Sequence, residues 1–543
     1  MRAPITIAAV LASMCIARAA HAFCGFYVAG SDAPMFNDAT QVVLMRKGTR
    51  TVLAMQNNYK GPLQDFAMVI PVPVVLHEGD VKTLPKSVFE DVERMSAPRL
   101  VEYWEKDPCE KEREEYDRSV NIGASPPVAE AASGSAGMNY QVTVEAKFTV
   151  GEYQIEILSA KDSTGLDAWL HDQHYKIPAG AEPLLRPYVE SGSKWFVARI
   201  DPSKVKFDGN RAALSPLRFH YDSEEFTLPI RLGLANSSGT QDLIVNILAP
   251  DQRYEVANYK NVTIPTNLDV VDNIKGKFGG FYAALFDRTV EKNPGAVITE
   301  YSWAAGSCDP CPGPTLQPEE LATLGLDVLD PLTADQIVAR DAAAAAQKKL
   351  EELYRNGAQV TPEQQQALYN DYSRLAQLAP RQTNAYELVL TRLHARYGKN
   401  ITNDLVFKTA DGIVGGREFV VDSKTGKLEE GAQKSSTNNF QARYAIRHPW
   451  TGPISCLSPV RGRWGGPPKG QSSEGPEPAL NLAFAARDSV KLPDAVLRDI
   501  PEIGVKAHAT GCGCQSSDPA GLVGCLVLGS FAIFRPRRRR ARQ

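Results

Sequence analysis

The sequence predicts an α+β chain, predominantly β, with two β-rich halves related by internal duplication and an inserted helical hairpin near 333–379. Three observations carry this expectation. Residues 141–150 alternate strictly: Val142, Val144, Ala146, Phe148 and Val150 share one face, with Gln141, Thr143, Glu145, Lys147 and Thr149 on the other. That is the period of a half-buried strand. Two Thr-x-x-Gln boxes, Thr333/Gln336 and Thr361/Gln364, open long stretches of strong helix formers. Finally, 543 residues exceed what one hydrophobic core organises, so two or three domains are expected.

In chain order, Gln41–Met45 and Arg50–Met55 form a hairpin around Lys47-Gly48. Phe66–Leu76 is an apolar strand whose Pro71 and Pro73 suit an edge or bulge. Gly151-Glu152 turns strand 141–150 into Tyr153–Ser159. Further strands are expected at Trp195–Ile200, Leu217–Tyr221, Phe226–Leu232, Leu243–Leu248, Tyr386–Arg396, Leu405–Phe407 and Phe440–Ile446. Short helices are expected at Val88–Met95, Leu166–His174 and Phe278–Asp287. The hairpin helices end before Gly357 and at Pro380, and their low apolar content describes a solvated projection, with a partner surface as the alternative. Residues 122–138, 462–478 and 506–519 are rich in Gly, Pro, Ser or Ala and read as loose.

Thr40-Gln41 is followed by Asn58-Tyr59-Lys60, and Thr240-Gln241 by Asn258-Tyr259-Lys260, an offset of 200 residues throughout. Glu102-Tyr103 before Asp107-Pro108-Cys109 is echoed by Glu300-Tyr301 before Asp309-Pro310-Cys311. The expected halves are 23–235 and 236–505.

Both ends carry addresses. Arg2, the apolar run Ile5 to Ile16 and Ala20-His21-Ala22 form a secretory signal of residues 1–22, cleaved between Ala22 and Phe23. At the other end, Gly511-Cys512-Gly513-Cys514 precedes an apolar run, 520–534, and a basic tail, 535–543. Fifteen helical residues cover about 22 Å, short of a bilayer core of about 30 Å, and snorkelling arginines make up part of the deficit. The arginines should stay cytoplasmic. This three-part tail resembles the myxobacterial C-terminal sorting signals (the MYXO-CTERM type). That resemblance implies cleavage or lipidation near Cys512 or Cys514 and display at the outer surface of the cell envelope.

Removing the six tail arginines and the leader's Arg2 and Arg18 from a net charge of −3 leaves −11 for residues 23–534. An acidic body argues against a nucleic-acid partner. Five cysteines remain there: Cys24, Cys109, Cys308, Cys311 and Cys456. In an oxidising envelope they are disulfide candidates, with fifteen arrangements for two bridges and one thiol left over.

Candidate chemistry is sparse. Cys308-Asp309-Pro310-Cys311 could exchange disulfides or supply half a zinc site, but its Gly- and Pro-rich flanks describe a loop, so a structural disulfide is the favoured reading. His171 and His174 share a helix face, where ordinary surface histidines outweigh a metal pair. His448-Pro449-Trp450-Thr451-Gly452-Pro453 reads as a turn closing the last strand, with a pocket lining as the alternative. No GxSxG, HExxH, P-loop or GxGxxG occurs in the body, and Gly426-Lys427 lacks the rest of a Walker motif. No catalytic residue, cofactor or metal is assigned.

Several segments resemble an uncharacterised bacterial family, domain-of-unknown-function family 2330. They are Phe23–Val28, Phe66–Pro73, Ala97–Tyr103, Tyr153 with Ser159-Ala160-Lys161, Cys308–Cys311 and Arg447–Gly452. The resemblance implies an exported protein and carries over no catalytic residues. The expectation is a surface-anchored, non-enzymatic binding or scaffolding module. Its partners would be the membrane, a signal peptidase, a tail-sorting protease and a protein or glycan. The alternative is an envelope enzyme, either a thiol–disulfide oxidoreductase at Cys308/Cys311 or a hydrolase without a recognisable motif.

Overall fold

The computed structural model describes residues 26–28, 36–60, 67–110, 142–173, 181–208, 211–236, 240–356, 361–378, 383–417, 429–468, 470, 475–482, 485, 487 and 489–497. The expected leader with Ala22, Phe23 and Cys24, the loose segments 122–138 and 506–519, His174, and the tail with Cys512 and Cys514 lie outside them. No helix among the described residues is long and apolar enough to cross a membrane.

The protein is an α+β chain, predominantly β. Its backbone is a thirteen-stranded sheet with Arg50–Lys60, Phe36–Lys47, Gln241–Pro250, Leu388–Tyr397 and Ala296–Ala304 side by side at its centre. Only neighbouring residues of opposite pleat separate its two faces, and each face has its own cover. Val42, Leu44, Val245, Ile247 and Leu393 pack onto Met68, Ile70, Ile155 and Phe196 of a five-stranded sheet, making a sandwich. On the opposite face, Val43, Leu248, Leu388 and Leu390 meet the helix Ser87–Ser96 and the segment around Leu316–Leu329. Further along, Ile298 meets the helix Phe278–Lys292. Helices Ser163–Asp172 and Glu182–Glu190 cover the outer side of the five-stranded sheet.

Most expected elements form close to their expected bounds. The first hairpin is Phe36–Lys47 with Arg50–Lys60, turned at Gly48, whose φ of 58° suits a residue without Cβ. Strand Val142–Val150 exposes Thr143, Glu145, Lys147 and Thr149, as its alternation requires, and Gly151 (φ 58°) turns it into Tyr153–Ala160. Pro71 sits in Ala67–Val72, the second strand of its sheet, but the outer strand Phe26–Val28 pairs only as far as Val69. The missing proline N–H therefore faces no ladder partner on that side. Both Thr boxes cap their helices: Gln336 N donates to Thr333 Oγ1 at 3.3 Å and Gln364 N to Thr361 Oγ1 at 3.3 Å. The hairpin consists of Ala334–Asn356 and Pro362–Leu378.

Four differences have physical reasons. Phe226–Leu232 yields only the strand Thr227–Leu228 and then a 3-10 turn at Arg231–Asn236, because Pro229 ends the ladder. Phe440–Ile446 splits at Ala442: Asn439–Gln441 joins the large sheet, and Arg443–His448 joins a small five-stranded one. Strand Ala296–Ala304, buried along nearly its whole length, shows no alternation to read. Helix Glu182–Glu190 contains Pro183 and Pro187, which mask its periodicity.

The structure does not show the internal duplication expected from the 200-residue offset. Thr40 and Leu243 are register partners, so the opening strands of the two halves run parallel within one sheet. Arg253–Val256, however, pairs with Leu405–Ala410 rather than folding back on Gln241–Pro250. The large sheet thus draws strands from both sides of residue 235.

Candidate binding surface

Two polar assemblies stand out against the apolar layers, one inside and one at the surface. The inner one begins at a bulge. Along Ala296–Ala304 the register slips between Thr299, opposite Leu393, and Tyr301, opposite Arg392, so Glu300 is the extra residue of a bulge. Two residues on from Ile298, the partner of His394, Glu300 faces the side of the sheet occupied by Arg392 and His394, beneath helix Phe278–Lys292. Arg392 Nε donates to Glu300 Oε2 at 2.7 Å. Tyr282 Oη donates to Oε1 at 2.7 Å, and His394 Nδ1 stands 2.7 Å from that same oxygen. Phe286 stacks on His394 with ring centroids 3.6 Å apart. Burial opposes ionisation of Glu300, but the charges and hydrogen bonds of His394, Arg392 and Tyr282 outweigh it and hold its pKa at about 2.

Asp242, next in the chain of contacts, is held at about 2 in the same way. Burial is overcome there by Arg396, His394 and Arg487. Arg396 Nε and Nη2 grip both Asp242 oxygens at 2.7 and 2.8 Å, and Arg487 bonds both Asp242 and Asp287. Glu300 and Arg392 are fully buried and His394 nearly so, while Arg487 and Asp287 at the far end of the network are partly exposed. Its chemistry is that of a clamp between three strands and a helix.

The surface assembly is where distant sequence motifs meet. Arg99–Glu105 and Arg443–His448 lie side by side in parallel, with Arg99 opposite Arg443 and Tyr103 opposite Arg447. The Ala97–Tyr103 and Arg447–Gly452 segments, more than 340 residues apart, are therefore neighbours. On one face His448 Nε2 meets Glu102 Oε2 at 2.9 Å, Lys275 Nζ donates to Glu102 Oε1 at 2.6 Å, and Trp104 stacks on His448 at 4.7 Å. Burial of Glu102 is offset by Lys275 and His448, which pull its pKa below the usual carboxylate range. On the other face Arg447 lies between Tyr103 and Trp464, 5.6 and 4.9 Å from their ring centres.

Beneath this pair, the buried guanidiniums of Arg99 and Arg443 are held by neutral acceptors. Arg99 donates to the carbonyls of Met95 (2.6 Å), Ala97 and Pro310 (2.8 Å). Arg443 donates to Tyr103 Oη, Asn267 Oδ1, Gly416 O and Arg417 O.

Just past these strands, Cys109 and Cys456 form a disulfide with Cα atoms 5.5 Å apart. It staples the loop that follows His448. Glu105 ties both ends of that loop, accepting from Trp450 N at 2.9 Å and Gly462 N at 2.7 Å. Those backbone bonds and Arg461 outweigh its burial and lower the Glu105 pKa. Val460 N donates to Pro108 O at 2.9 Å, and Arg463 bonds the carbonyls of Asp107 and Glu110. Between the anchors stand Ile454, Leu457 and Val460, exposed by 46%, 103% and 55%.

Residues 18–408 match a family described as an uncharacterized protein conserved in bacteria (DUF2330). The chain belongs to this family. Neither a curated protein nor a solved structure matches it. The DUF2330 match includes Arg99–Glu105 and the CxxC segment, while Arg443–His448 and the stapled loop lie beyond its last residue.

Within the matched region Cys308 and Cys311 pair with each other, Cα atoms 5.0 Å apart. Their loop seals the inner side of the strand pair, since Pro310 O accepts from Arg99 and Asp309 O from Gln441. Of the fifteen arrangements open in sequence, these two bridges use every body cysteine except Cys24. His171 Nδ1 bonds its own helix at Asp167 O, 2.8 Å away, on the exposed side. No group of three or more His, Cys, Asp or Glu able to hold a metal occurs among the described residues. Sequence reading missed Glu300, Arg392, His394 and Asp242. The available signal was the charged residue at every second position of Thr391-Arg392-Leu393-His394-Ala395-Arg396, which marks one polar face in an apolar strand.

Proposed function

We propose that this DUF2330 protein is exported, cleaved after Ala22, and held at the outer surface of the envelope through its C-terminal tail. Its body is a non-enzymatic binding or scaffolding module. The observation that carries the reading is the bridged loop 449–463. A disulfide at its middle and one carboxylate at both its ends hold apolar side chains out in solvent. Pre-ordering an exposed apolar loop lowers the entropic cost of binding, and a bridge of this kind persists in an oxidising compartment. The converging charges at Glu300, by contrast, are sealed in the core. The membrane, a signal peptidase and a tail-sorting protease are the partners the two end segments imply, with a protein or glycan as the module's further ligand.

A second reading, thiol–disulfide exchange at Cys308/Cys311, rests on one observation: both sulfurs lie on a half-buried loop rather than in the core. Intact mass of envelope-derived protein, with alkylation before and after reduction, tests both. Loss of residues 1–22, truncation near Cys512 or Cys514, and four alkylation-resistant body cysteines are expected. An unprocessed chain with free Cys109 and Cys456 overturns the first reading, and selective labelling of Cys308 and Cys311 under mild reduction favours the second.

A further inference from the structure

The stapled loop differs chemically from the rest of the molecule. The mature body is acidic, yet no Asp or Glu occurs from Pro449 to Ser473, while Arg461, Arg463 and Lys469 do. Ile454, Leu457 and Val460 project from the same stretch, with Leu457 fully exposed. Trp464, half-buried at the loop's base, stacks on Arg447. Exposed apolar side chains with two arginines in the same loop match the composition of a contact with an anionic membrane interface.

The described residues also end on the small sheet from which this loop emerges. Val496 bridges Val270, and Leu497 N donates to Asp269 O at 3.0 Å, while Asp269 is the register partner of Ala445 in strand Arg443–His448. The exit toward the tail is thus on the same small sheet as the loop. Fourteen residues, 498–511, separate that exit from Cys512, the first of the two processing or lipidation sites, and such a length spans at most about 50 Å when fully extended. An anchored tail therefore keeps the loop within reach of the bilayer.

We propose that residues 449–463 are a second membrane contact, in which Ile454, Leu457 and Val460 enter an anionic lipid surface and Arg461 and Arg463 face its headgroups. The proposal rests on the tail-anchored reading and deepens it. Arg461 already pairs with Glu105 at 3.2 Å, so the lipid phosphate competes with a built-in carboxylate and the contact weakens with salt.

The test uses the full chain carrying Leu457→Trp. It is mixed with vesicles of equal parts phosphatidylglycerol and phosphatidylcholine, and separately with pure phosphatidylcholine, each with brominated acyl chains. Flotation reports the anchor, and bromine quenching of the emission added over wild type reports the loop. Thiol counting confirms the Cys109–Cys456 bridge. The expected result is flotation with loss of most of the added emission in anionic vesicles, relieved by salt and largely absent in neutral ones. Flotation with unquenched emission overturns the loop contact and leaves the anchor standing. Equal quenching in both vesicles overturns the anionic preference. Failure to float with either overturns the anchor together with the contact built on it.

Discussion

Glu300 exchanges its hydration for Arg392, His394 and Tyr282, and nearly all of that exchange depends on its staying ionised. Its carboxyl falls from 4.5 to about 2 on folding, and that of Asp242 from 3.8 to about 2. A depressed folded-state pKa means that the stabilisation is complete above the unfolded value and is lost as pH falls through the folded one. Stability should therefore decline from about pH 5 downward. Glu300 accounts for about 3 kcal/mol and Asp242 for about 2 kcal/mol by linkage. Glu300→Gln leaves Arg392 buried without a countercharge and should destabilise the fold by about 3–5 kcal/mol at pH 7. Urea unfolding of both chains from pH 7 to 3 checks this. A variant as stable as wild type, or as acid-sensitive, would count against the clamp.

At the scale of elements, the helical hairpin shows local sequence deciding structure. Its two capping boxes and strong helix formers specify Ala334–Asn356 and Pro362–Leu378 without help from the sheets. The segments flanking it meet at Asp330, which accepts from the Thr383 hydroxyl and backbone N–H and pairs with Lys47. Replacing residues 334–378 with a short Gly/Ser linker should shift the midpoint of thermal unfolding by less than about 3 °C, the scale of a 1 kcal/mol loss in a 150–250-residue domain. Collapse of the fold would show that the hairpin supports the body. Strand Ala296–Ala304 is the opposite case. It is covered on both faces, so its apolar residues need no period, and its bulge at Glu300 follows from pairing with Leu388–Tyr397 rather than from any local signal.

For the whole molecule the two bridges should differ in weight. Loop-closure entropy in the unfolded chain gives a ceiling of about 6 kcal/mol for a bridge spanning 347 residues and about 2 kcal/mol for one spanning three. The pair Cys109→Ser/Cys456→Ser should lower the thermal midpoint more than Cys308→Ser/Cys311→Ser, and differential scanning calorimetry reads the difference. The reverse order would mean that the CxxC loop, through Arg99 and Gln441, holds more of the structure than its ring size indicates.

Features under short-range control were legible in the sequence: the predominantly β class, the alternating strand at Val142–Val150, the turns at Gly48 and Gly151, and the capped helices. The sequence also named the four paired body cysteines, but as candidates without partners. Which sulfurs meet was settled by long-range packing. It also decided that Arg99–Glu105 lies beside Arg443–His448, that Phe440–Ile446 divides between two sheets, and that Glu300 faces Arg392 and His394. The reason is range. Caps, turns and pleat are settled within a few residues, whereas strand neighbours, bulges and buried ion pairs are selected by which distant segments best cover one another's apolar faces and satisfy one another's charges.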